Sequence, residues 1–202
     1  MSDQKSLYNE DYYQNGIEKG ISLYEDYRWR PDISFPIAQA IKDTYPGCSV
    51  LDFGCARGGV LRALYALGVD ACGVETSEYC LKNCFSEFVG TTIPEENVFE
   101  RRIIFCKDVL EHISEPEEIL KELRMKNYGG LFIIPLGDNE KYRIPEYHKD
   151  ITHKVAENEE YWCYLFKRTG WKVDAVRYEL GDIKYKWREK HRYGNGFFFV
   201  SR

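Results

Sequence analysis

The sequence predicts a single α/β domain: a mostly parallel seven-stranded sheet with an antiparallel last strand and helices on both faces. Three observations carry that expectation. Short apolar runs alternate with helical patterns along most of the chain, the pattern of parallel strands joined by right-handed crossovers. The 202 residues suffice for one full core and not for two. The strand at 49–53 runs into a glycine-rich turn, Asp52-Phe53-Gly54-Cys55-Ala56-Arg57-Gly58-Gly59, from which a helical pattern starts at once.

Each element follows from local chemistry. Residues 1–35 are rich in Tyr and acids, with Gly16 and Gly20 breaking any period, and read as a cap of loops and short helices. Residues 36–202 form the core, beginning within a helix at 35–44 that stops at Pro46-Gly47. After the strand at 49–53 comes a helix at 60–67, with Gly68 as its C-cap. A strand at 71–74, a helix at 78–84, a weak strand at 85–91 and a strong one at 102–106 follow. Ser114 and Glu117 have capping-box spacing, which opens a helix to about 125. A buried strand at 130–136 precedes a helix at 157–169, with Tyr161, Leu165 and Phe166 on one face. The last strands, 171–178 and 196–200, have no helical pattern between them and are expected to pair antiparallel.

Bulk properties exclude several classes. A net charge of −5 argues against a general nucleic-acid binder. No apolar run approaches membrane-span length, and the opening Met1-Ser2-Asp3-Gln4-Lys5 is not a signal peptide, so a cytoplasmic protein is expected. The seven Cys are odd in number and fall mostly in apolar runs, as buried free thiols do. Cys80 and Cys84 have no second pair at zinc-site spacing.

The glycine turn narrows the ligand. A dinucleotide loop needs a second glycine so that the backbone can approach the pyrophosphate. Here that position is Ala56, whose Cβ would crowd a diphosphate. Asp52, two residues before Gly54, repels phosphate and suits a cation. At about 4 Å such a charge pair is worth about 4 kcal/mol in a surface-like dielectric. S-adenosylmethionine has no phosphate and carries an ammonium and a sulfonium. Glu75, closing the second strand, can accept both ribose hydroxyls.

Four blocks then occur in a known order and spacing: Val50 to Gly58, Gly73-Val74-Glu75-Thr76-Ser77, Lys107-Asp108-Val109-Leu110-Glu111-His112-Ile113, and Gly129-Gly130-Leu131-Phe132-Ile133-Ile134-Pro135. In them the chain resembles class I S-adenosylmethionine-dependent methyltransferases, over roughly residues 48–180. The resemblance implies the single-domain Rossmann-like methyltransferase fold and S-adenosylmethionine as cofactor. It implies that Gly54, Cys55, Ala56 and Gly58 wrap the methionine part, with Asp52 at the same end. It further implies Glu75 on the ribose, Thr76 beside the adenine, and Lys107 and Asp108 beside the methionine end. One departure stands out: the segment Gly90-Thr91-Thr92-Ile93 supplies no acid for the adenine amine.

Methyl transfer to a hydroxyl needs an aligned nucleophile and a base. His112, after the fourth strand, and His148, Asp150 and His153, in the loop after the fifth, are the candidates. Asp108, Glu111 and His112 stand at i, i+3 and i+4, so a helical turn would present them on one face. Some relatives hold Mg²⁺ with a similar set completed by a later His; His148 or His153 could complete it here, although the same letters are widespread without metal, and no metal ligand is assigned. Tyr8, Tyr12, Tyr13, Tyr24, Tyr27 and Trp29 resemble the lid of a related small-molecule group, or pack the first helix on the sheet. The only basic stretch, Lys184, Lys186, Arg188, Lys190 and Arg192, is either a solvated hairpin or a grip for phosphate or RNA.

The expected acceptor is a hydroxyl of a small molecule, such as a sugar or natural-product intermediate. Two other readings stay open: a metal-dependent RNA 2′-O-methyltransferase, with residues 184–192 on the nucleic acid, and a non-catalytic S-adenosylmethionine-binding or regulatory protein. A dehydrogenase is the reading least compatible with Ala56 and Asp52.

Overall fold

The computed structural model describes residues 6–94 and 102–202; the opening five residues lie outside the described part. Two short helices, α1 (Glu10–Gln14) and α2 (Gly16–Lys19), precede α3 (Pro31–Thr44). That third helix starts earlier than its apolar pattern suggests because Pro31 occupies the first turn, where its missing N–H costs nothing.

The core then runs β1 (Val50–Phe53), α4 (Gly59–Ala66), β2 (Ala71–Val74), α5 (Glu78–Lys82), β3 (Val89–Gly90) and β4 (Ile103–Lys107). It continues through α6 (Glu117–Lys126), β5 (Gly129–Pro135), β6 (Gly137–Asp138), β7 (Lys141–Tyr142), α7 (Glu159–Arg168), β8 (Lys172–Arg177), α8 (Tyr185–Lys190) and β9 (Asn195–Ser201). Single 3₁₀ turns cover Leu110–His112 and Pro145–Lys149.

The seven-stranded sheet has the order β3-β2-β1-β4-β5-β9-β8. β1 pairs in parallel with both β2 and β4, and β4 with β5. β9 is antiparallel to both neighbours, so it alone is reversed, as expected for the last strand. Alternate side chains divide the core between two layers. Leu51, Ile104, Cys106, Phe132 and Phe198 face α6 and α7, meeting Leu120, Leu123, Trp162 and Phe166. Val50, Ile103, Phe105, Leu131 and Phe197 face α3 and α4, meeting Ile37, Ile41, Leu61 and Leu64. The strand order reverses beside β1, and the crevice outside the carboxyl ends of β1 and β4 is where sheets of this kind bind ligands.

Several expectations need correction. The weak third strand shrinks to two residues. Ser114 and Glu117 form no capping box: Pro116 takes the N-cap position of α6, without a side-chain cap bond. The connection between β8 and β9 holds a short helix, α8, although the two strands pair antiparallel as expected. The β6–β7 hairpin had no signal in the sequence. Gly68 does close α4, at φ +72°. All seven cysteines are free, and Cys55, Cys72, Cys80 and Cys106 are buried. Among the described residues no helix is long and apolar enough to cross a membrane.

Candidate functional site

A cavity of about 1640 Å³ opens at the carboxyl edge of the sheet. Its floor is the β1–α4 turn. Gly54 sits at φ +77° and Gly58 at φ +75°, and Ala56 adopts φ +48° between them. Gly54 is irreplaceable on two counts: its backbone is left-handed, and a Cβ there would lie 2.3 Å from Val109 Cγ2. The turn is thus packed against the loop that follows β4, and both loops line the cavity.

Glu75 ties the turn to the end of β2. Its Oε2 accepts the Ala56 N–H at 2.8 Å, and its Oε1 accepts the N–H groups of Thr76 and Ser77 at 2.7 Å each. Oε1 is thereby filled, while Oε2 keeps one acceptor site for a further donor. Asp52 is buried, and its burial pushes the carboxyl up to about 7, against the pull of Lys107 and with a push from Glu75. A cation placed beside it would restore the charged form.

At the end of β4, Asp108 turns with φ +56°. Lys107 Nζ reaches its Oδ2 at 2.6 Å, and Lys184 Nζ donates to its Oδ1. Burial alone would raise this acid, but the two ammonium groups hold it well below the usual carboxylate range. Lys184 is itself buried, donating also to Tyr147 Oη at 2.9 Å and to Asn195 Oδ1 at 2.7 Å. None of these three contacts of Lys184 was visible in the sequence. Lys184 lay within a run of charges, and only the fold brings it to Asp108. The remainder of that run stays at the surface: Arg188, for instance, pairs with Glu179 at 3.3 Å.

The cavity is lined by Asp52, Gly54, Cys55, Ala56, Glu75, Thr76, Lys107, Asp108 and His112; Gly58 lies just outside, shaping the turn. Tyr8, Tyr12, Tyr13, Tyr24, Tyr27 and Trp29 form the opposite wall. The tyrosines among them cluster on α5 rather than on the sheet. All six rings line the cavity, and the five tyrosines pack on one another and on Tyr79 and Cys80 of α5.

The four candidate bases do not converge equally. His112 borders the cavity, and its burial pushes the imidazole down, so it is neutral near pH 7. Behind it lies His153, ring centroid 4.6 Å away, pushed down to about 4 by burial and by His112. Asp150 is buried behind them both, and its carboxylate accepts from Tyr12 Oη at 2.7 Å, Thr152 N at 3.0 Å and Thr152 Oγ1 at 2.5 Å. His148 stands apart and exposed; its Nε2 accepts the Tyr142 N–H at 3.0 Å and so fastens the β6–β7 hairpin. Thr152 was missed, although the Asp-x-Thr spacing is that of an Asx turn.

The divalent-cation set that the resemblance admits is not assembled. The segment 108–112 is a 3₁₀ turn after a left-handed residue rather than a helical turn, and Asp108 is committed to two lysines. Donor atoms of Glu111, His112 and His153 do lie within 4.8 Å of one another. Both carboxyl oxygens of Glu111 are buried without a hydrogen-bond partner, His112 Nε2 standing 4.0 Å from Oε1, and burial followed by Asp108 pushes this acid well up. Of that set of four, Glu111, His112 and His153 come together and Asp108 does not.

No curated protein matches the chain by sequence. Solved structures do match the fold. An S-adenosylmethionine-dependent methyltransferase from Archaeoglobus fulgidus superposes with a TM-score of 0.60 at 18% identity, over 82% of this chain and 93% of that one. A phosphoethanolamine N-methyltransferase from Haemonchus contortus, in complex with S-adenosyl-L-methionine, gives 0.65 at 16% identity, over 98% of this chain and 60% of that one. The N-terminal domain of EvdMO1, in the presence of SAH and D-fucose, gives 0.57 at 17% identity, over 100% and 95%. At these identities the likeness is one of fold. The family comparison goes further: the model described as a methyltransferase domain matches residues 24–176. That match spans most of the chain and includes the glycine turn, Glu75, the Asp108–His112 loop and the Asp150–His153 loop, and the protein is a member of the methyltransferase domain family.

Proposed function

We propose that this enzyme transfers the methyl group of S-adenosylmethionine to a hydroxyl of a small molecule. The observation that carries the reading is a single cavity with two unlike ends. One end suits the donor: a buried acid (Asp52), a turn that carries Ala56 where a dinucleotide loop has glycine, and Glu75 with a spare acceptor site on Oε2. The other end holds a neutral imidazole, His112, facing space walled by aromatic rings.

The roles follow from those positions. Asp52 and the 54–58 turn hold the methionine part, Glu75 the ribose and Thr76 the adenine edge, while Lys107 and Asp108 flank the methionine end. The tyrosine wall excludes water and offers π-faces to a sulfonium. His112 accepts the hydroxyl proton as the oxygen attacks the methyl carbon, in line with the departing sulfur. Asp150 and His153 support it from behind. The EvdMO1 domain was solved with D-fucose, which is in keeping with a polyhydroxy acceptor here as well.

The test is to incubate the full chain with methyl-labelled S-adenosylmethionine and a host extract split into metabolite and RNA fractions. Label appearing on an oxygen of a small molecule supports the reading. Label on RNA alone favours 2′-O-methylation instead, and binding with no labelled product favours a non-catalytic role.

A further inference from the structure

Between the N-terminal cap and the loop after β5 runs a chain of buried hydrogen bonds. The Thr152 hydroxyl lies 2.8 Å from His112 Nδ1 on one side and 2.5 Å from Asp150 Oδ1 on the other. Asp150 is the acceptor in each of its side-chain hydrogen bonds here. It accepts from Tyr12 Oη at 2.7 Å through Oδ2, and from the Thr152 N–H at 3.0 Å through Oδ1. The Tyr12 phenol keeps its proton, since burial raises it far above its ordinary value.

The polarity of this chain is therefore determined. A hydroxyl has one proton, and that of Thr152 goes to the carboxylate. Its oxygen must then accept from the imidazole, so His112 carries its proton on Nδ1. Resting on the proposed role of His112, we infer that Thr152 and Asp150 are positioning residues which lock His112 in the Nδ1–H tautomer and so leave the basic lone pair on Nε2, 4.0 Å from Glu111 Oε1.

Three features of the geometry support a lock rather than incidental contacts. Thr152 is fully buried and Asp150 nearly so, which keeps water from competing for either. The Asx turn from Asp150 to Thr152 N fixes the hydroxyl relative to the carboxylate. The His112 ring is also held edge-on by Tyr8, centroid 5.9 Å away, and by His153. A carboxylate that orients a catalytic imidazole through direct contact is familiar; here a threonine hydroxyl relays the same instruction over one more bond.

Long-range ¹⁵N–¹H correlation spectra of the uniformly labelled full chain read the tautomer directly, with His112→Gln identifying the signals. The parent is expected to show His112 protonated at Nδ1 at neutral pH. Thr152→Val keeps the shape and the backbone contact of residue 152 with the ring but removes the relay, so the Nδ1–H share of His112 should fall, and Thr152→Ser should restore the parent pattern. Methyl transfer into the extract should fall about tenfold or more in Thr152→Val and recover in Thr152→Ser, while calorimetric affinity for S-adenosylmethionine stays unchanged. A parent protonated at Nε2, or a Thr152→Val spectrum identical to it, overturns the relay. A parent that transfers no methyl group while showing the Nδ1–H pattern would instead overturn the proposed function and leave the relay standing.

Discussion

Gly54→Ala tests how the two loops of the site are joined. The added methyl group would lie 2.3 Å from Val109 Cγ2 and 3.1 Å from Cγ1, so the collision involves the whole isopropyl group rather than one movable tip. A left-handed backbone at φ +77° adds a second penalty, because alanine at such a φ brings Cβ close to the following carbonyl. The conformational part costs about 1–2 kcal/mol, and overpacking a well-filled contact about 1–3 kcal/mol. Together they give about 2–5 kcal/mol, which in a domain of this size lowers Tm by about 4–20 °C. Urea unfolding of Gly54→Ala, Val109→Ala and the double variant separates the two parts. Val109→Ala removes the obstacle and not the strain, so the double variant should be less damaged than the two singles together, by about 1–3 kcal/mol. The backbone share of the loss should remain. Additive single effects would refute the idea that the β1–α4 turn and the post-β4 loop are locked through this contact.

Other consequences concern the charged groups. Lys184→Met leaves the half-buried Asp108 with one lysine in place of two and should cost about 1–3 kcal/mol. Adding Asp108→Asn should recover part of that loss, as chemical denaturation of the single and double variants would reveal. Asp52, held at about 7 by burial, has a folded value above that of the free acid near 4. Its contribution to the free protein's stability is therefore complete below about pH 4 and is lost as pH rises through about 7. Affinity for the cationic cofactor runs the other way, falling up to about tenfold for each unit below 7. Calorimetry at pH 6 and pH 8 should show that trend, and Asp52→Asn should flatten it.

Most of the fold was legible because the residues repeat with clean periods. β4 alternates Ile103 and Phe105 with Ile104 and Cys106 between the two core layers, and α4 ends on a glycine that only a left-handed turn requires. Where the pattern failed, the elements were too short or too evenly charged. β3 has two residues, and α8, Tyr-Lys-Trp-Arg-Glu-Lys, has no buried face to give it a period. The donor half of the candidate site was legible for a similar reason: turn, acid and second acid lie within one stretch from Asp52 to Glu75. The other half is assembled across the sheet. Lys184 meets Asp108 from 76 residues away, and Tyr12 meets Asp150 from 138. No spacing rule announces such pairs. Both the burial of Glu111 and the relay through Thr152 depend on how the loop after β5 folds back over the loop after β4, where Lys154 and Val155 donate to the Glu111 carbonyl.

The central claim is that this cavity takes a phosphate-free cationic nucleoside. Isothermal titration of the full chain with S-adenosylmethionine, alongside NADH, tests it most directly. The account predicts saturable binding of S-adenosylmethionine, lost in Glu75→Ala, and no heat from NADH. Binding of NADH in preference to S-adenosylmethionine, or no binding of S-adenosylmethionine by the parent chain, would contradict it.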